Sequence, residues 1–149
     1  MSGVKRSRVG GGKNAVANEL NGLTEAIIGA AIDVHRGIGP GLLESAYEEC
    51  MAVELRLRGL AFQRQHPLPV IYKGTRLDCA YRVDLVVERR IAVELKAVEQ
   101  LQPIHEAQLL TYLRLGGWKL GLLLNFNAAL MRHGIRRLIL GLDNPLERA

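Results

Sequence analysis

Tyr81-Arg82-Val83-Asp84-Leu85-Val86-Val87, followed by Ile91-Ala92-Val93-Glu94-Leu95-Lys96, decides how this chain is read. Both runs are aliphatic and β-branched, as strands are, and each carries an acid inside the apolar stretch. Folded as a hairpin about the three-residue loop Glu88-Arg89-Arg90, they set Val87 against Ile91, and alternation fixes every partner behind that pair. Val83, Leu85, Val87, Ile91, Val93 and Leu95 are then predicted to share one face. Asp84 falls opposite Glu94 on the other face, with Lys96 diagonal to the aspartate. Two carboxylates directly opposed across a ladder repel one another unless a cation sits between them. The register alone therefore predicts a metal site. The plainer reading of the same alternation is a half-solvated sheet face, and the spacing D-x(9)-E-x-K is short and degenerate.

The rest of the composition bounds the possibilities. A chain of 149 residues fits one domain with a sizeable core, and 48% hydrophobic residues excludes a chain disordered throughout. No apolar run is long enough to span a bilayer, and the N-terminus lacks the apolar stretch of a secretory signal. Cys50 and Cys79, on an expected helix and strand, read as reduced thiols rather than a disulfide framework or metal site, so the expected location is cytoplasmic. The net charge of +5 is unevenly placed: Lys5, Arg6, Arg8 and Lys13 lie within the first 18 residues with no acid, leaving the remainder nearly neutral. With Gly10-Gly11-Gly12 among them, residues 1–19 are expected to form a flexible basic leader, either dispensable or touching phosphates non-specifically. The domain proper is expected over 20–142, with a polar tail over 143–149.

Periodicity supplies the order of elements. Leu20, Leu23, Ile27, Ile28, Ala31 and Val34 follow helical spacing over 20–35, with Thr24 interrupting or capping the stretch. Gly37-Ile38-Gly39-Pro40-Gly41 breaks that helix. A second is predicted over 42–58, with Leu43, Ala46, Tyr47, Cys50, Val53, Leu55 and Leu57 as its apolar residues, and Gly59 ends it. Residues 61–73 read as extended, with Pro67 and Pro69 marking an edge or bend, and Lys73-Gly74-Thr75 as a turn. Strands follow over 76–80, either separate from or continuous with 81–87, and over 91–98. Pro103 opens a helix that Gly116-Gly117 closes, the run from Leu120 to Phe126 is a buried strand, and 136–140 is a last short strand. This order predicts an α/β fold with a central mixed sheet and helices on both faces.

Gly41-Leu42-Leu43-Glu44-Ser45-Ala46-Tyr47 resembles the G-x-x-E-x-x-Y signature of the GxxExxY family, within the PD-(D/E)xK nuclease-like superfamily. Val34-His35, Gly39-Pro40-Gly41, Tyr81 to Asp84, Val93 to Lys96, Ile104 to Gln108 and Leu124-Asn125-Phe126 also resemble the family pattern, so the likeness covers roughly residues 23 to 140. Val83 stands where the superfamily name has proline, a position that varies widely. The resemblance implies a restriction-endonuclease-like core. It implies that Asp84 and Glu94 bind Mg²⁺ or Mn²⁺, that the Leu95 carbonyl completes the protein ligands, and that Lys96 orients or activates the attacking water.

These residue types suit phosphodiester hydrolysis. Hard divalent cations prefer carboxylate and carbonyl oxygens, and a lysine beside them can stabilise developing negative charge. Glu44 and Tyr47 share a helical face; read from the residues alone they are a solvated glutamate and a core-capping tyrosine, while the resemblance makes Glu44 a further metal or water ligand. Gln108 and Tyr112, four apart, share a face of the helix after the second acidic strand; Gln108 is either a polar group reaching back to the site or a surface amide. His35 is expected to interact with the last carbonyls of its helix, His105 to sit at a helix start, and Trp118 to be a packing anchor. The expected activity is a metal-dependent nuclease acting on nucleic acid, DNA sooner than RNA. The other reading is a catalytically silent nucleic-acid- or partner-binding module on the same fold. Nuclease-like domains of this size often pair to cover both sides of a duplex, which leaves a homodimer open.

Overall fold

The computed structural model describes residues 8–78 and 81–141, with side chains from residue 15 onward. Helices α1 (Arg8–Ile38) and α2 (Glu44–Leu57) come first, then strands β1 (Phe62–Pro67), β2 (Val70–Tyr72), β3 (Thr75–Leu77), β4 (Arg82–Val87) and β5 (Ile91–Lys96). Helix α3 (Pro103–Gly116), β6 (Leu120–Asn125), a 3₁₀ turn (Met131–Gly134) and β7 (Ile135–Ile139) complete the chain order. The main sheet runs β1-β4-β5-β6-β7, antiparallel except for the parallel pair β5/β6, which α3 connects. This is the expected mixed sheet.

Helices lie on both of its faces. Ile27, Ala30, Ala31 and Val34 form the buried stripe of α1, at the spacing an amphipathic helix requires. With Tyr47, Met51 and Leu55 of α2 they pack on Leu85, Val87, Ile91, Val93 and Leu95. On the opposite face, Leu109, Tyr112 and Leu113 of α3 cover Val86, Ala92 and Leu123, with Trp118 buried as an anchor beside them. Strand β6 is buried along its whole length because both faces are covered. Strand β1 is an edge strand and ends at Pro67, where a missing N–H costs no ladder bond.

Several expectations are corrected. Helix α1 begins within the stretch read as a flexible leader: residues 8–19 continue the helix outward from its packed half, since propagation from a formed helix is far easier than nucleation. Lys5, Arg6, Cys79 and the tail over 143–149 lie outside the described residues, as do the side chains of Arg8 and Lys13. Thr24 neither interrupts nor caps α1; it is buried mid-helix, its hydroxyl donating to the Leu20 carbonyl one turn back at 2.7 Å. Leu43, Val53 and Leu57 are exposed, because the buried face of α2 runs through Tyr47, Met51, Ala52 and Leu55. Strand β3 does not continue into β4 but folds back on β2 as a separate two-stranded sheet, turning at Lys73 and Gly74. His35 bonds across the fold rather than to its own helix end, with Nε2 2.7 Å from the Ala128 carbonyl oxygen.

One close approach yields a stability prediction. A Cβ on Gly134, at the end of the 3₁₀ turn, would overlap the backbone carbonyl oxygen of Asn125 at the end of β6. Backbone cannot swing aside as a side chain can, so Gly134→Ala is expected to destabilise the fold by about 2 kcal/mol, read from urea melts. A variant as stable as the parent would show that the turn relaxes freely.

Candidate active site

The site forms where β4 and β5 part. Their ladder pairs Val87 with Ile91, Val86 with Ala92 and Leu85 with Val93, as the hairpin register predicts. The loop closes with the Arg90 N–H donating to the Val87 carbonyl at 3.0 Å, and Glu88 and Arg89 adopt left-handed φ values of 52° and 56°. Beyond Leu85 and Val93, side chains take backbone amides. The Asp84 N–H donates to Glu94 Oε1 at 2.9 Å, and the Leu95 N–H donates to Asp84 Oδ2 at 2.8 Å. Each acid thus grips the backbone of the opposite strand.

The face assignment of one residue changes here. Val83 belongs with Val86 and α3, not with Leu85 and Val87 as strict alternation predicts. The departure coincides with Gln65 on β1, which lies between the paired positions Arg64 and His66 and takes a left-handed φ of 49°. Gln65 Nε2 donates to Asp84 Oδ1 at 3.2 Å and also to Glu48 Oε1 on α2. The kink turns Asp84 toward α2, where it lines a small cleft of about 250 Å³ with Glu44, Ser45, Glu48, Gln65 and Leu95.

Burial sets the electrostatics. Glu94 is only 6% exposed, and burial, followed by the nearby Asp84 charge, pushes its carboxyl up to about 8, against the opposing pull of the Asp84 N–H and the Lys96 ammonium. Burial also raises Asp84, with the Leu95 N–H and Gln65 acting against it and the charges of Glu48 and Glu44 adding to it. No protein group among the described residues donates to Glu94 Oε2. A buried and a half-buried carboxylate close together, with an oxygen to spare, suit a hard divalent cation, which is commonly held by one or two carboxylates, its remaining positions filled by water and substrate phosphate. Among the described residues, no three His, Cys, Asp or Glu side chains converge closely enough to hold an ion. Glu44 is exposed at the same cleft as Asp84, and its Oε1 accepts the Ala97 N–H at 3.3 Å, just past the end of β5.

The other named residues support this centre. Tyr47 is wholly buried and stacks on Phe126, with ring centroids 4.5 Å apart. Its hydroxyl donates to the Gly39 carbonyl at 2.7 Å and accepts the Leu42 N–H at 3.2 Å, tying down the turn that precedes Glu44. Tyr47→Phe is expected to cost about 1–2 kcal/mol in a denaturant melt by leaving those backbone groups without their partner; an unchanged midpoint would mean that water replaces the hydroxyl. Asn125 ties the ends of β5 and β6 together, accepting the Val98 N–H at 3.1 Å and donating to the Val98 carbonyl at 2.9 Å. Gln108 does not contact the acids; its Nε2 donates to the Tyr112 hydroxyl at 2.9 Å, and Tyr112 in turn feels the Glu94 charge, which together with burial raises its phenol. His105 stands at the start of α3, its Nδ1 accepting the Gln102 N–H at 2.9 Å.

Two residues at the cleft escaped the sequence reading. Glu48 is buried on α2, its Oε2 held by Arg64 at 2.7 and 3.1 Å. Its position one turn after Glu44 was a usable signal. Gln65 carried none, since nothing in Phe62-Gln63-Arg64-Gln65 marks a left-handed residue.

A model of the PD-(D/E)XK nuclease superfamily matches residues 21–138, which take in both acids, Lys96 and all of α2 and α3. No curated protein and no solved structure matches the chain. No helix among the described residues is long and apolar enough to cross a membrane.

Proposed function

This chain belongs to the PD-(D/E)XK nuclease superfamily, and we propose that it is a divalent-metal-dependent nuclease hydrolysing phosphodiester bonds, of the GxxExxY type within that superfamily. The observation that carries the reading is the reciprocal grip of Asp84 and Glu94, a half-buried and a buried carboxylate at the parting of β4 and β5. In it, Asp84, Glu94 and the Leu95 carbonyl hold Mg²⁺ or Mn²⁺. A cation bound there would supply charge against a phosphoryl oxygen and a water acidified enough to attack. Lys96, two residues beyond Glu94 on β5, would orient that water and supply positive charge against the charge that develops on phosphate. Glu44, whose Oε1 accepts the Ala97 N–H, would serve as a further ligand to the ion or to its water. Glu48 and Gln65 position Asp84 from behind. A cytoplasmic setting belongs to the same reading, supported by the free thiol of Cys50.

Calorimetric titration with Mn²⁺ tests the centre without any choice of substrate. The parent protein is expected to bind, and Asp84→Ala and Glu94→Ala are each expected to abolish binding. Cleavage assays on linear, single-stranded and branched nucleic acids then test turnover. A parent that neither binds Mn²⁺ nor cleaves would leave a binding module on the nuclease fold.

A further inference from the structure

On the α3 face of the sheet, across from the cleft under α2, lies a second groove. It encloses about 350 Å³ between α3 and the chain entering β4, and its walls include Val70, Tyr81, Ile104, Ala107, Gln108 and Tyr112. The groove is predominantly apolar, yet its rim is open: Tyr81 is 48% and Ile104 69% exposed. Tyr81 and Tyr112 face one another obliquely, with ring centroids 6.4 Å apart and planes 56° apart. Tyr112 packs in one buried cluster with Ala92 of β5, whereas Val93 and Leu95 belong to the cluster on the other face, so alternation sets Glu94 on the same face as Tyr112. On the other side, Tyr81 also lines a larger depression of about 690 Å³ that carries Arg76 and Arg82, together with Asp78. Apolar, aromatic and cationic surfaces therefore adjoin at Tyr81, on the face of the sheet that Glu94 shares.

We propose that this groove receives an unpaired nucleobase of the substrate strand, so that the enzyme acts on single-stranded or splayed nucleic acid rather than on intact duplex. The proposal rests on the nuclease reading and names its substrate class. A base within a duplex has both faces stacked and cannot offer one to Tyr81, whereas an unpaired base can enter and stack. Arg76 and Arg82 lie where the backbone leading to that base would carry its phosphates, which supplies the charge complementarity an apolar peptide would not use. Gln108 gives its Nε2 to Tyr112, so its carbonyl oxygen is the atom left to accept from an exocyclic amine on the base edge. Deoxyribose and ribose strands present the same base faces, and both sugars belong in the test.

The test uses the full chain and short oligonucleotides of one sequence, as single-stranded DNA, single-stranded RNA and duplex DNA, each carrying one 2-aminopurine. Binding is followed by fluorescence anisotropy and 2-aminopurine quenching in EDTA, so that it is separate from hydrolysis. The single strands are expected to bind more tightly than the duplex and to be quenched. Tyr81→Ala is expected to weaken single-strand binding about five-fold or more, the scale of one lost base stack. Ile104→Ala is expected to weaken it in the same sense, and neither variant is expected to change duplex binding. Because Ile104 is largely exposed, its variant keeps the test sound if Tyr81→Ala folds poorly. Equal losses for single strands and duplex, or no loss and no quenching, would overturn the groove. Mn²⁺-dependent cleavage persisting alongside that result would leave the nuclease reading intact. Quenching that depends on Tyr81 in a protein that never cleaves would keep the groove and remove the nuclease.

Discussion

Lys96→Ala is expected to leave Mn²⁺ binding intact while slowing single-turnover cleavage about 10²- to 10³-fold, the usual cost of removing one preorganised charge from a transition state. The structure separates the two effects. Lys96 ends β5, and its backbone carbonyl accepts the Phe126 N–H at 2.9 Å, a bond alanine preserves. Its ammonium makes no ion pair among the described residues, although its charge is felt at Glu94. The cation is thus available to a phosphate or an attacking water rather than committed to the protein. Lys96→Arg is expected to recover only part of the rate, because a planar fork cannot replace a compact ammonium at one point. Asp84→Ala differs in kind, losing metal and rate together. Undiminished cleavage by Lys96→Ala would remove the lysine from the chemistry.

The hairpin is legible in the sequence because its loop leaves little freedom. Once Val87 faces Ile91 the pairing follows back to Leu85 and Val93, and the ladder has that register; beyond it the strands part, and Asp84 and Glu94 bond backbone amides instead of continuing the ladder. The helices are legible for a related reason: Ile27, Ala31 and Val34 repeat at helical spacing, and the glycine-rich break after α1 stops it where expected. What stays hidden depends on deviations from regularity. Val83 leaves its predicted face where Gln65, one strand away, takes a left-handed conformation, and no local pattern announces either departure. The separation of β3 from β4 is hidden likewise, since 76–87 reads equally as one extended run or two and only pairing with β2 divides it.

The roles of Glu44 and Tyr47 show the same limit from another side. Their spacing puts them on one helical face, but spacing does not say which of them is structural. The stacking of Tyr47 on Phe126 and its bonds to the Gly39 and Leu42 backbone depend on residues eight positions upstream and on the far end of β6. The tyrosine is therefore the anchor, and the glutamate it displays is the residue free to face the cleft.

The second large effect concerns pH. In the metal-free protein Glu94 titrates near 8, against the 4.5 of an ordinary glutamate. Between those values the native state holds a proton that the unfolded chain has lost, so stability falls as pH rises through the window, by on the order of a few kcal/mol in total. Asp84, raised in the same direction, adds to the slope. Glu94→Gln keeps an acceptor for the Asp84 N–H but carries no charge, so its urea midpoint is expected to vary far less between pH 5 and 8 and to exceed the parent's at pH 8. Mn²⁺ is expected to reverse the trend in the parent alone, because the ion requires the carboxylate and the proton must leave. Calorimetry at pH 7 in two buffers of different ionisation enthalpy should then register about one proton released per ion bound, since a group with a pKa near 8 is mostly protonated at that pH. A parent whose stability is flat across pH 5 to 8, or Mn²⁺ binding without proton release, would show that Glu94 is already ionised in the free protein. The opposed carboxylates would then be tolerated without a cation, and the strongest physical reason for placing one between them would be gone.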